Sequence, residues 1–295
     1  MTVLRVTEAN AASGSLAGLQ AAASRLSALQ TQLSSGRKIT KPSDDPVGTV
    51  AALALRGQLQ RSNQYQANAS SGIGWLSQVD STLSSVQTQA QQVRTLILQG
   101  SNTGANDASS RNALADSVDQ LRQSMLALAN TTYEGRPIFG GTTAGSAAFD
   151  SSGAYVGDTG SIVRTVGAND DVQINQTGTA VFGPNGGNLF DLLTTVSSDL
   201  RTNPSGLSGD LASLDAAMSN LSAQQGQAGS VYQRVQLVQT NASKTSLQLT
   251  TELSGLQDVD VADMAIQVSS ANLTYQASLQ TTANIRQTSL LDYLK

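Results

Sequence analysis

Apolar positions recur at alternating steps of three and four along most of this chain, and the pattern lapses in one central stretch. Leu19, Ala22, Leu26, Leu29 and Leu33 form the first stripe, which predicts a helix arriving at Ser35. Gly36 follows the last periodic residue, where a left-handed C-cap carries no Cβ penalty, and Arg37 and Lys38 complement the negative end of that helix. A second helix is predicted to start just beyond, with Ser43 or Asp44 as its cap, Asp45 at the positive end of the dipole and Pro46 in the first turn. A helix-linker-helix junction thus accounts for the charges crowded into LSSGRKITKPSDDP, residues 33–46.

The spacing becomes most regular at Leu76, Val79, Leu83, Val86, Ala90, Val93 and Ile97, a heptad seam that requires a partner helix. GSNTGAND, a polar turn at 100–107, ends it, and Leu114, Val118, Leu121, Met125 and Leu128 trace the next helix, an antiparallel neighbour by its short connection. From about Tyr133 to Asn203 helical spacing gives way to short runs such as SIVRTV and DVQINQ that alternate with period two, which predicts a small β-rich insert. After Pro204 a seven-residue comb runs through Leu207, Leu214, Leu221, Ala228, Val235, Ala242, Leu249 and Leu256, with a bend or break expected at Gly226 and Gly229. In the last segment Val268, Ala271, Tyr275, Ser278 and Ile285 share one face, with Leu279 beside it. This stripe is smaller and more polar than the central seams.

The organisation is therefore symmetric about the insert, with helices leading out and helices leading back. At a rise of about 1.5 Å per residue, arms of this length span roughly 60 Å, so the sequence predicts an elongated, mainly α molecule.

Composition narrows the chemistry. Aromatic residues make up 4% and charged residues 13%, which suits thin helical packing better than a thick globular core. The chain has no His and no Cys, which removes imidazole acid-base chemistry, thiol nucleophiles, disulfides and the commonest transition-metal ligands. MTVLRVTEANAASGS lacks the continuous apolar stretch of a Sec signal, and no run of about eighteen apolar residues follows, so membrane insertion is not expected and export would use another route. The net charge of -4 gives no overall footprint for nucleic acid.

Three polar features invite sharper readings, and each has a plainer one. Asp44 with Asp45 and Asp170 with Asp171 fall at a helix start and a turn, where carboxylates cap backbone. Asp258, Asp260 and Asp263 lack the Gly turn and the Glu of a calcium loop. FGGTTAG and FGPNGGN lack the Lys-Ser or Lys-Thr of a phosphate loop and read as turns. No catalytic, cofactor or metal residues are expected, and Trp75 reads as a packing anchor.

Against that background three stretches carry a family resemblance. LSSGRKITKPSDDPVG at 33–48 resembles the N-terminal signature of the bacterial flagellin superfamily, NQYQANASSGIGWLSQVDSTLSSVQ at 63–87 continues it, and NDASSRNALADSVDQL at 106–121 matches the next family helix. The resemblance spans roughly residues 1–142 and 205–295. NTTYEGRPIFGGT at 130–142 and the ending TSLLDYLK resemble the members that join hook to filament more than the filament subunits, whose segment reads like NTQFNGKKLL.

The resemblance implies a fold of coaxial helices: an inner domain from 1–43 and 258–295, a central domain from 44–138 and 204–257, and a β-rich outer insert at 139–203. It implies a structural, non-enzymatic subunit that forms a helical ring of identical copies between hook and filament, beside another hook-associated protein and flagellin. It also implies type III export with a chaperone and an extracellular place on the flagellum.

Assembly is then expected through Leu19, Leu26, Leu29, Leu33, Val268, Tyr275, Leu279 and Ile285, with the central seams closing within the subunit. An antiparallel terminal pair would bring Arg37, Lys38 and Lys41 to Asp258, Asp260 and Asp263, and charge pairing would set its register. Two alternatives stay open: a filament subunit, and a secreted coiled-coil adhesin or signalling module whose insert binds a ligand.

Overall fold

The computed structural model describes residues 2–102 and 107–293, without the side chains of 2–9, 11, 12 and 285–293. In chain order the elements are α1 (Thr2–Ser35), α2 (Pro46–Gly100), α3 (Ala108–Ala129), β1 (Thr132–Tyr133), β2 (Arg136–Pro137), β3 (Val163–Gly167), β4 (Asp170–Gln173), α4 (Gly178–Phe182), α5 (Leu189–Thr202), α6 (Leu207–Gln257) and α7 (Val261–Tyr293). The chain packs as two compact units, one formed by Met1–Gln60 with Ser246–Lys295 and the other by Arg61–Thr245. Helices α2 and α6 contribute residues to both.

In the terminal unit α1 packs along α7. Helix α1 stops at Ser35 for the anticipated reason: Gly36 adopts φ +68°, its N–H reaches Leu33 O, and the Arg37 N–H reaches back to Gln32 O. These two bonds form a Schellman motif that satisfies carbonyls at the helix end. The cap of α2 lies one residue later than the sequence suggests. Asp45, not Ser43 or Asp44, accepts the Gly48 N–H at 2.8 Å, with Pro46 in the first turn. Asp44 instead clasps the preceding loop, accepting from Thr40 N, Thr40 Oγ1 and Lys41 N.

In the second unit the seam Leu76, Val79, Leu83, Val86, Val93 and Ile97 is buried, as are Leu207, Leu214, Leu221 and Val235 of α6. The two helices run antiparallel and are tied by polar rungs: Ser62 Oγ donates to Ala242 O, Gln239 Nε2 to Ser70 Oγ, Gln225 Nε2 to Asp80 Oδ1 and Arg94 Nε to Asp215 Oδ1. No break occurs at Gly226 or Gly229, because α6 is one helix throughout. An interior Gly costs about 1 kcal/mol, which flanking packed turns offset.

The segment after α3 is less β-rich than its sequence suggests. Its sheets are two two-stranded antiparallel hairpins, β1 with β2 and β3 with β4. The first turns through Glu134 and Gly135, both with positive φ, the signature of a primed two-residue hairpin. The longest element here is helical: α5 opens with a capping box between Asn188 and Asp191 and buries Leu189, Leu193, Val196 and Leu200. All four Phe of the chain, at 139, 149, 182 and 190, meet in one knot with ring centroids 5.0 to 5.4 Å apart, and Tyr155 packs on Phe149. This knot is continuous with the buried seams, so residues 139–203 share their core with the helices of their unit.

Candidate assembly surface

The stripes expected to mediate assembly lie in the terminal unit. Leu19, Leu26, Leu29 and Leu33 of α1 are half-buried, as are Val268 and Tyr275 of α7, while Met264 and Ala271 are buried among them. Leu279 is turned outward, 42% exposed, and the Ile285 side chain lies outside the described residues. One pair of helices covers only one side of each partner, so these stripes remain partly wet. A groove of about 520 Å³ runs beside the pair, walled by the small residues Gly18, Ala21 and Ala22 on α1 and Ala277 and Ser278 on α7, with Arg25 at its edge. Small walls admit the close approach of another helix.

The register of the terminal pair is held differently from expectation. Arg37 and Asp258 do meet, but as an antiparallel backbone bridge. The Lys38 N–H donates to Gln257 O at 2.6 Å and the Val259 N–H to Gly36 O at 3.1 Å. No ion pair joins Arg37, Lys38 or Lys41 to Asp258, Asp260 or Asp263 among the described residues. Each carboxylate already has a local bond: Asp258 accepts from Ser254, Asp260 caps α7 through the N–H groups of Ala262 and Asp263, and Asp263 accepts from Gln267. Lys41 pairs instead with Asp44 at 3.9 Å, and the hydrogen bond from Thr40 holds that carboxyl below its ordinary pKa. Exposed pairs across the bridge would add little, whereas two backbone bonds fix the register by geometry. Gln257 reinforces it, 6% exposed and accepting from Arg56 at 2.8 Å.

Two surface properties set the terminal unit apart. Among the described residues, nine of the thirteen exposed large apolar side chains belong to it, Val47, Val50, Leu53, Leu247, Val261, Ile266 and Leu273 being at least 60% exposed. Its sequence balances eight basic against eight acidic residues, whereas the other unit has nine basic and thirteen acidic. The whole net charge of -4 therefore resides in residues 61–245. Exposed apolar side chains on a unit with no net charge favour association, and a solitary soluble domain avoids such a surface.

The remaining polar candidates resolve into structure. Asp170 pairs with Arg234, and among the described residues no three His, Cys, Asp or Glu side chains are placed to hold a metal. The FGPNGGN turn ends in the α5 cap, where the Asn188 side chain already occupies the Phe190 and Asp191 N–H groups and the Asp191 carboxylate adds negative charge, which disfavours an anion there. Trp75 is 3% exposed and meets Tyr133 edge-on at 5.8 Å, a packing role. No described helix is long and apolar enough to cross a membrane.

Comparison with known proteins agrees with this architecture. The bacterial flagellin N-terminal helical region matches residues 6–144 and the bacterial flagellin C-terminal helical region matches residues 211–294. The chain belongs to the bacterial flagellin family, whose members are structural components of the flagellum. Flagellar hook-associated protein 3 of Escherichia coli (strain K12) is 28% identical over 276 residues, covering 83% of this chain and 87% of that protein. Flagellin of Bacillus subtilis (strain 168) is 24% identical over 272 residues, covering 87% and 88%. Among solved structures, one described as a flagellar hook-associated protein from Vibrio parahaemolyticus shares the fold, with a TM-score of 0.67 and 24% identity over 73% of this chain and 100% of that one.

Proposed function

We propose that the chain is a structural adaptor that joins the flagellar hook to the flagellin filament, assembling as a ring of identical copies through its terminal helices. The observation that carries this reading is the concentration of exposed apolar side chains on a charge-balanced terminal unit. A free enzyme or ligand-binding module has no use for such a surface; a subunit buried among copies of itself does. The near full-length similarity to flagellar hook-associated protein 3 supports the adaptor role, and the NTTYEGRPIFGGT segment supports it over the filament role. On this reading the protein is not an enzyme, is carried to the export channel by a chaperone, and reaches the cell exterior.

The similarity to a Bacillus flagellin keeps the filament subunit as the second reading. A clean deletion separates the two. Loss of the adaptor leaves hooks without filaments while flagellin is still made and escapes to the medium, and expression from a plasmid restores filaments. Normal filaments on the deletion strain overturn the adaptor reading. Cells that make no other filament protein, and whose filaments consist of this chain, establish the second.

A further inference from the structure

We propose that Asn185 is a site of spontaneous covalent modification, cyclisation onto the Gly186 nitrogen followed by hydrolysis, and that the folded protein holds this reaction back with a clasp on Tyr155. Asn185-Gly186 is the one Asn-Gly step in the sequence. A neighbouring Gly offers no side chain to obstruct approach of its own amide nitrogen to the Asn side chain. Here the obstruction is absent in space as well: a Cβ added at Gly186 or Gly187 meets nothing within 4 Å, and Asn185 is exposed.

The reaction is an attack within the chain. The Gly186 nitrogen, losing its proton to solvent base, bonds to the Asn185 side-chain carbonyl carbon, and the bond from that carbon to Nδ2 breaks with release of ammonia. The resulting five-membered imide then takes up one water molecule. Opening at one carbonyl gives aspartate, and opening at the other gives isoaspartate, with the backbone rerouted through the side chain.

The folded geometry opposes the first step in two ways. Residues 184–187 form a turn closed by the Gly187 N–H on Pro184 O at 3.2 Å, with Gly186 at φ +82° as a type II turn requires. The Asn185 side chain is meanwhile clasped to the Tyr155 backbone, Oδ1 accepting the Tyr155 N–H at 2.7 Å and Nδ2 donating to Tyr155 O at 3.2 Å. Cyclisation needs the amide released and the turn's peptide plane rotated. Tyr155 is itself anchored, by its ring on Phe149 and by its hydroxyl donating to Asp158 O or Phe139 O. The clasp therefore joins the loop between α4 and α5 to the hairpin of residues 148–156.

Neither product can restore it. An aspartate still accepts from Tyr155 N–H but sets a carboxylate oxygen against Tyr155 O in place of a donor, and an isoaspartate lengthens the turn by one backbone carbon. The inference is independent of the assembly role, so the failure of either leaves the other standing.

The test is timed incubation of the purified full-length chain at mildly alkaline pH, natively and in urea, followed by peptide mapping and isoaspartyl methyltransferase labelling. Expected are modification concentrated at Asn185 and a native rate slower by roughly ten- to a hundredfold, the range two hydrogen bonds supply at about 1.4 kcal/mol per factor of ten. Tyr155→Phe, which loses the anchoring hydroxyl, should modify faster in the native state and at an unchanged rate in urea. Asn185→Asp should lower the unfolding midpoint. Equal rates in native and unfolded chains overturn the clasp, and an unfolded chain whose isoaspartate lies elsewhere overturns the site.

Discussion

Replacing Asn130 tests how the hairpin region is bound to the helices. This residue follows α3, and its side chain makes three bonds to one short stretch of backbone: Oδ1 accepts from Ala148 N at 2.8 Å and Phe149 N at 2.9 Å, and Nδ2 donates to Phe149 O at 2.9 Å. Ala148 and Phe149 are 0% and 1% exposed, so water does not readily replace the lost partners. Each bond contributes about 1 kcal/mol net, and a buried group left unmade costs about 1–3 kcal/mol, so Asn130→Ala should destabilise the second unit by about 3–5 kcal/mol. Asn130→Asp keeps both acceptor bonds, loses the donor to Phe149 O and sets a carboxylate oxygen against that carbonyl, so below about pH 4, where the carboxyl is protonated and can donate again, it should cost only about 1–2 kcal/mol. Urea unfolding is followed through Trp75, the sole Trp, which is buried in this unit against Tyr133. At a slope of about 2–3 kcal/mol per M, the Ala variant should unfold roughly 1–2 M earlier. An Ala variant within about 1 kcal/mol of the parent, or an Asp variant equally damaged at that acid pH, refutes the accounting.

Two further expectations concern charge. Burial raises the Asp210 pKa above its usual 3.8, helped by the Asp199 carboxylate, and its Oδ2 has no partner. The folded state thus holds that proton more tightly than the unfolded state does, so this residue's contribution is fully favourable below the unfolded pKa and is lost as pH rises through the folded one; Asp210→Asn should stabilise near pH 7 with the gain closing near about pH 4, and a gain independent of pH would contradict this. For the terminal pair, reversing Arg37 and Asp258 singly should leave assembly competence nearly unchanged, whereas Lys38→Pro, which removes the N–H donated to Gln257 O, should abolish it; polymerisation onto isolated hooks measures both, and strong loss from either single reversal restores the ion-pair explanation.

What could be read from the sequence was what is local and periodic. The seam through Leu83 and Ile97 and the stop at Gly36 each depend on residues within a turn or two, and the family motifs lie on those same helices. Helix α5 was equally local, since Leu189, Leu193, Val196 and Leu200 step by four, three and four behind an Asn-Asp capping box. Lying between a Gly-rich turn and Pro204, these fourteen helical residues are absorbed by the sequence reading into the β-rich insert. The Phe knot was not legible, because four side chains scattered over fifty residues converge only through tertiary packing. The bridge between Arg37 and Asp258 was hidden for another reason: their charges suggested side-chain pairing, while the bonds formed belong to the backbone, which has no sequence signature.

The rungs between α2 and α6 join residues far apart along the chain, Ser62 to Ala242 across 180 positions and Arg56 to Gln257 across 201. Closing such loops costs entropy before any contact repays it, so these pairings form late, whereas the hairpin at Glu134 and Gly135 can close at once. During synthesis, α2 is complete long before the ribosome reaches α6. For that interval the seam of α2 lacks the α6 residues that later cover it, and the nascent chain exposes apolar surface that becomes core only when α6 arrives.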